Sequence, residues 1–226
     1  MLNLDCDFFY DTDVDTSLSS KKTRVVSTSD FLSSIQIDVG TTPVLCLDHH
    51  EALAAWDRDR VREALCVHFD AHHDLHTDFN RSWETPFGVR GRHVGAGDYL
   101  FHALRERIVE TVLWVTPNWI EAGRVSSELR RLLGAALSQR VSVVRFRDFR
   151  WHSPPASHVV VALSPEWTPR VDLDAAADLA SRIGSTPDAV ERWKDAARQR
   201  YAALAGDASP LALRFRFPSS VVEAGL

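Results

Sequence analysis

Short apolar runs alternate with stretches of helical periodicity along most of this chain, and three of the early runs end in acidic residues. Leu2–Phe9, Val44–Leu47, Cys66–Phe69, Thr111–Val115, Val141–Phe146 and His158–Leu163 read as strands. Glu51–Leu65, Gly95–Ile108, Ile120–Leu137, Asp172–Ile183 and Pro187–Leu204 read as helices, the last with Thr186 as N-cap and Pro187 in its first turn. Strands interleaved with longer helices predict a parallel sheet covered on both faces. Right-handed crossovers then give a three-layer α/β/α sandwich with a mostly parallel sheet. A length of 226 residues suits a single domain over 1–226. Asp11–Lys22 is polar and serine-rich and reads as a loop. Asn80–Gly97 shows no clear periodicity and reads as a long loop, a kind that often carries function. Leu211–Phe217, strand-like and ended by Pro218, has no assigned place.

Composition narrows the class. The chain is 45% hydrophobic and 25% charged, as in globular proteins. It has no apolar run near the roughly 18–20 residues that span a bilayer, so no membrane partner is expected. Its N-terminus lacks the basic and apolar pattern of a secretory signal, and a cytoplasmic location is the default expectation. Cys6, Cys46 and Cys66 lie in apolar runs without C-x-x-C spacing and read as reduced core thiols. The net charge of −5 argues against nucleic acid as a partner and is compatible with a cationic substrate.

The three acidic run ends are Leu4-Asp5-Cys6-Asp7, Leu47-Asp48-His49 and His68-Phe69-Asp70-Ala71-His72-His73-Asp74. In a parallel sheet, ligands bind beyond the carboxyl ends of the strands, so these acids are expected at one edge. Strand residues at i and i+2 share a side. Asp5 and Asp7 are therefore expected to face one site, with Cys6 turned into the packed layer. Asp70, His72 and Asp74 repeat the spacing as a second ligand set. Like charges this close are costly, and a divalent cation removes the cost. Carboxylates mixed with imidazole suit manganese, iron or zinc, and the oxygen-rich balance favours manganese. Taken singly, D-x-D could be a turn or a helix cap, and Asp48 could cap the helix that follows it. Together the segments point to metal.

Asp70-Ala71-His72-His73-Asp74 resembles the D-A-H-x-D motif of the arginase and agmatinase superfamily. Asp48-His49 resembles its strand-end D-H, and Asp5-Cys6-Asp7 its D-x-D. A closer resemblance is to the peptide arginases. It rests on Leu47–Leu53, Val67–Leu75, Val112–Trp119, Asp5-Cys6-Asp7-Phe8-Phe9 and Leu163-Ser164-Pro165-Glu166. The resemblance implies an arginase-like fold and two manganese ions, with iron or zinc as alternatives. Asp70 and Asp5 would bridge the ions, His49 and Asp74 would complete one, and His72 and Asp7 the other. Glu166 would bind the guanidinium, a fork that suits carboxylate, with a helix-start acid near the dipole as the alternative. The implied activity is conversion of arginine to ornithine with release of urea, on a precursor peptide of a ribosomally made natural product. The D-x-D strand comes last in ordinary arginases and first here, so the resemblance requires a rearranged chain with the first strand inserted beside the last ones.

The implied chemistry is attack of a metal-activated water on the guanidinium carbon, followed by proton delivery to the leaving amine. His93, in the long loop, is the candidate shuttle, with His73 and His76 as rivals. Trp83, Trp119 and Trp167 are candidates to line the mouth or to be core. The alternatives are a free arginine or agmatine ureohydrolase, a one-zinc amidohydrolase or deacetylase, and a non-catalytic metal-binding interaction protein.

Overall fold

The computed structural model describes residues 1–10, 24–77, 87–89, 92–95, 97–165 and 168–206, with backbone alone at 87–89, 92–93, 171 and 206. The strands are β1 (Leu2–Asp5), β2 (Val44–Cys46), β3 (Ala64–Phe69), β4 (Phe87–Val89), β5 (Arg92–Val94), β6 (Val109–Thr116), β7 (Val141–Arg145) and β8 (Val159–Ala162). The helices are α1 (Thr28–Ser34), α2 (Glu51–Arg58), α3 (Tyr99–Arg105), α4 (Ala122–Ser138), α5 (Leu173–Arg182) and α6 (Pro187–Gly206).

Six strands form one sheet in the order β2-β8-β1-β3-β6-β7, and every pairing in it is parallel. The two-residue period of a strand sends alternate side chains to opposite faces. Leu2, Leu4, Val67, Phe69, Val159 and Val161 meet Phe31 of α1, Leu173 and Leu179 of α5, and Trp193 and Tyr201 of α6. Cys66, Val112, Trp114, Val160 and Ala162 meet Leu53 and Trp56 of α2, Tyr99 and Leu100 of α3, and Leu129 and Leu133 of α4. The result is the expected three-layer α/β/α sandwich. The three cysteines are free and buried. Among the described residues no helix is long and apolar enough to cross a membrane.

One face is tied together by an aromatic cluster. Phe31 lies edge-on to Phe69 at 5.0 Å and to Phe9 at 5.5 Å, and tilted to Phe8 at 6.3 Å. It is the buried residue of α1, so α1 is held mainly through this ring. Phe31→Ala is expected to cost about 3–5 kcal/mol in chemical denaturation, because the cavity is walled by rings that cannot close it.

Four sequence expectations need correction. The first strand stops at Asp5, and Cys6–Phe9 coils into a 3-10 turn capped by the Asp5 carboxylate, which accepts from Asp7 N. The helix expected over Glu51–Leu65 ends at Arg58, and strand β3 begins at Ala64. Arg60 and Glu63 take left-handed backbones (φ 56° and 52°), which turn the chain from helix into strand. Val61, Ala64 and Leu65 kept a helical spacing in the sequence while serving that turn and the strand. The loop expected over Asn80–Gly97 contains the antiparallel pair β4–β5, whose three-residue strands are too short to show a period. Gly95–Ile108 shortens to α3. Asp11–Lys22 and Leu211–Phe217 lie outside the described residues.

Because the sheet is parallel, its carboxyl ends share one edge. Asp5 pairs with Ala162, as Cys46 does from the other side, and Leu4 pairs with Phe69. The residues following Cys46, Phe69 and Ala162 therefore crowd around Asp5. β1 sits between β3 and β8, the last of the described strands.

Candidate metal centre

Asp70 follows the end of β3 and is 1% exposed. Its Oδ2 lies 2.9 Å from His49 Nδ1, and its Oδ1 lies 3.6 Å from His72 Nδ1. His49 Nδ1 is also 3.1 Å from Asp5 Oδ2 and 3.2 Å from Asp74 Oδ2. His72 Nδ1 is 2.8 Å from Asp7 Oδ2. The six residues expected as ligands thus meet in two halves that share Asp70. Asp5, Asp74 and His49 make one half, and Asp7 and His72 the other.

The halves divide differently from the spacing argument. Asp5 and Asp7 are not i and i+2 of one strand, since Asp7 lies in the 3-10 turn; the turn aims Asp5 at His49 and Asp7 at His72. Asp74 goes to His49 rather than to its neighbour His72, through a left-handed backbone (φ 52°). Such backbones cost free energy and persist where the surroundings impose them. Ser164, the second residue past β8, is also left-handed (φ 48°), and its hydroxyl donates to Asp5 Oδ2 at 2.5 Å. Backbone amides fix the acids further: His72 N donates to Asp70 Oδ1 at 2.6 Å and Ala71 N to Asp7 Oδ1 at 3.3 Å. Asp48 places its backbone carbonyl as acceptor for Glu51 N at 3.1 Å, and the N-cap of α2 is His50.

The donor set fits divalent cations. Asp5, Asp7, Asp70 and Asp74 are all buried. The ion-pair partners of Asp5, Asp70 and Asp74 among the described residues are histidines, not lysine or arginine. His49 Nδ1 and Asp70 Oδ2 approach closely yet neither completes a hydrogen bond. Separations near 3 Å are those of ligands at right angles around an ion with bonds of about 2.1 Å. Among the described residues, two groups of three have donor atoms within 4.8 Å of one another: His49, His68 and Asp70, and Asp7, Asp70 and His72. Either could hold a metal ion.

Electrostatics agree. Burial, then repulsion from Asp70, pushes the Asp74 carboxyl up to about 7. Asp5 and Asp70 are raised by burial and by neighbouring carboxylates. Burial alone would lower the rings of His49 and His72, but the carboxylates facing them outweigh it and raise both well above the ordinary value. Raised values mean protons held near neutrality, and a cation must displace them. Manganese affinity is therefore expected to weaken as pH falls from about 8 to about 6, by about tenfold per pH unit for each proton displaced. Calorimetric titration in buffers of different ionisation enthalpy counts those protons; affinity independent of pH would contradict the assignment.

The remaining candidates separate. His73 Nδ1 accepts from Leu75 N at 3.0 Å, and its ring packs edge-on to Trp114 at 5.7 Å and beside His76 at 4.4 Å. Burial, then His76 and His72, hold it down at about 3, so its ring is neutral near pH 7. The backbone of His93 pairs with Gly88 in the β4–β5 hairpin, and its side chain lies outside the described residues. Trp83, Glu166 and Trp167 also lie outside them. Trp119 follows β6 at the same edge and is 39% exposed. A cavity of about 460 Å³, lined in part by Asp38, Trp56, Asp59 and His158, opens at the opposite end of the sheet, by the starts of β2 and β8.

Sequence reasoning passed over His68, Asn3, Ser164 and Tyr99. For the first two a signal existed: each stands two residues before a site acid in an apolar strand, hence on the same face. Comparisons with protein-family models, with curated proteins and with solved structures return no match, so the family resemblance rests on the motifs themselves.

Proposed function

We propose that this chain is a dinuclear metal hydrolase of the arginase type, converting peptidyl arginine to ornithine with release of urea. The observation that carries the reading is Asp70, a buried carboxylate shared by two histidine-containing halves, at the edge where a parallel sheet places its chemistry. Asp5, Asp70, Asp74 and His49 would hold one ion, and Asp7, Asp70 and His72 the other, with Asp5 as a second bridge on the resemblance alone and manganese favoured by the oxygen-rich set. Two such ions supply a water acidic enough to attack near neutral pH and polarise the group attacked.

The rest falls to the chain. Ser164 and the amides of Ala71 and His72 hold three carboxylates in place. The hydrolysis balances as arginine plus water giving ornithine plus urea, and a proton must reach the leaving nitrogen. His93 is the candidate shuttle, by its place in the long loop after the metal motif, and Glu166 the guanidinium partner on the resemblance. The substrate is an arginine-containing precursor peptide, with free arginine or agmatine as the nearer alternative.

The Asp7, Asp70 and His72 group also suits a second reading, a one-metal amidohydrolase or deacetylase that uses a D-x-H and a separate aspartate. That reading leaves Asp5, His49 and Asp74 without a task. Incubation of the manganese-loaded protein with an arginine peptide separates the two. The account expects a loss of about 42 Da per arginine and equimolar urea. Acetate from an acetyl-lysine peptide, with no urea from arginine peptides or free arginine, would overturn it.

A further inference from the structure

Beneath the carboxylates, on the α2–α3 side of the sheet, lies a buried polar group that the reaction does not call on. Asn3, His49 and His68 are each at most 1% exposed, beside the fully buried Tyr99. Asn3 touches all three. Its Nδ2 donates to Tyr99 Oη at 2.7 Å and lies 3.3 Å from His68 Nδ1, and its Oδ1 lies 3.0 Å from His49 Nε2. An amide nitrogen has two hydrogens and accepts nothing, whereas an amide oxygen only accepts. One hydrogen goes to Tyr99 and the other to His68. His68 Nδ1 must then be the acceptor, which puts the ring proton on Nε2. His49 Nε2 must be a donor, which leaves the Nδ1 lone pair toward Asp5, Asp70 and Asp74.

We infer that Asn3 sets the tautomers of both histidines, freeing His49 Nδ1 for a metal ion and making His68 Nε2–H a donor to the shared carboxylate of Asp70. The geometry of His68 agrees. Its Nε2 is buried without a completed hydrogen bond, and Asp70 Oδ2 lies 3.4 Å from it, with the His72 backbone also beside the ring. A ligating histidine commonly donates its second ring N–H to a fixed acceptor, which orients the ring and sets its tautomer. Here one amide serves a ligand and the positioning residue of another ligand together. Asn3 and His68 are positioning residues that act through His49 and Asp70. The inference rests on the metal-binding reading of the site but not on which reaction follows.

The test reads the tautomers directly, by long-range proton–nitrogen correlation of isotope-labelled histidine in the metal-free and zinc-loaded protein. His68 is expected as the neutral Nε2–H tautomer in both states, and His49 as Nε2–H with Nδ1 shifted by coordination in the zinc state. Asn3→Asp leaves only acceptors, so His68 should switch to Nδ1–H while His49 keeps its form. His68→Gln, which retains a donor near the position of Nε2, should hold manganese affinity within about threefold, and His68→Leu should lose about 10–100-fold. An Nδ1–H form of His68 in the wild type, or a zinc-induced shift of His68 itself, would overturn the inference. So would equal losses in the two His68 variants. A wild type that binds no metal would sink the metal reading, while the His68 tautomer in the metal-free protein still decides this one.

Discussion

Asp70→Asn is expected to abolish binding of both ions while raising the melting temperature of the metal-free protein. Both effects come from one carboxylate. Asp70 faces His49 through one oxygen and His72 through the other, so its loss opens both halves. Without metal, that carboxylate is a burden: burial, then Asp7 and Asp5, raise its pKa. A carboxyl whose folded pKa is raised binds protons more readily folded than unfolded. Its contribution to stability therefore falls as pH climbs from the unfolded to the folded value. An amide removes the charge and can keep the acceptor for His72 N, which now donates to Oδ1 at 2.6 Å. Melting with chelator should show the variant at or above wild type near neutral pH. Melting with manganese should reverse the order, since ligand binding stabilises only the protein that binds. Urea release should fall by at least about 10³-fold, about 4 kcal/mol of transition-state stabilisation. A variant that melts lower than wild type under chelator would mean that Asp70 is a structural acid.

His49→Ala and His72→Ala are expected to leave one ion each, in different halves. His49 Nδ1 is the nitrogen facing Asp5, Asp70 and Asp74, and His72 Nδ1 is the one facing Asp7 and Asp70. Each substitution removes a donor from one half and leaves the other half's histidine in place. Metal analysis after dialysis should give one ion per chain in each variant, and turnover should fall by about 10³-fold in both, because the water-activating pair is broken. The two differ in exposure: the His72 side chain is 30% exposed and that of His49 1%. Added imidazole should therefore restore part of the activity to His72→Ala and little to His49→Ala. A His49→Ala protein with full activity and one ion would favour the one-metal alternative.

The fold was legible because its signals are local. Runs such as Val112–Val115 and Val159–Leu163 carry β-branched residues and are apolar on both faces, which a parallel sheet buried between helix layers demands. The meeting of the acids was legible for a related reason, since parallel strands deliver their carboxyl ends to one edge whatever their order. What the pattern concealed is how each acid is aimed. Asp7 reaches His72 from a 3-10 turn, Asp74 reaches His49 from a left-handed backbone, and neither is written in a two-residue period. His68 and Asn3 were hidden differently: a polar residue inside an apolar strand is ambiguous until its partners across the sheet are known. Those partners lie 65 residues apart in the chain. Ser164 needed the register of β8 against β1 before its hydroxyl could be set against Asp5.

The central claim is a pair of metal ions sharing Asp70. It is tested most directly by titrating the metal-free protein with manganese and measuring ions bound per chain, alongside the magnetic coupling between them. The account predicts two ions, coupled through shared ligands and lost together in Asp70→Asn. A single ion, or two uncoupled ions that survive the loss of Asp70, would contradict it.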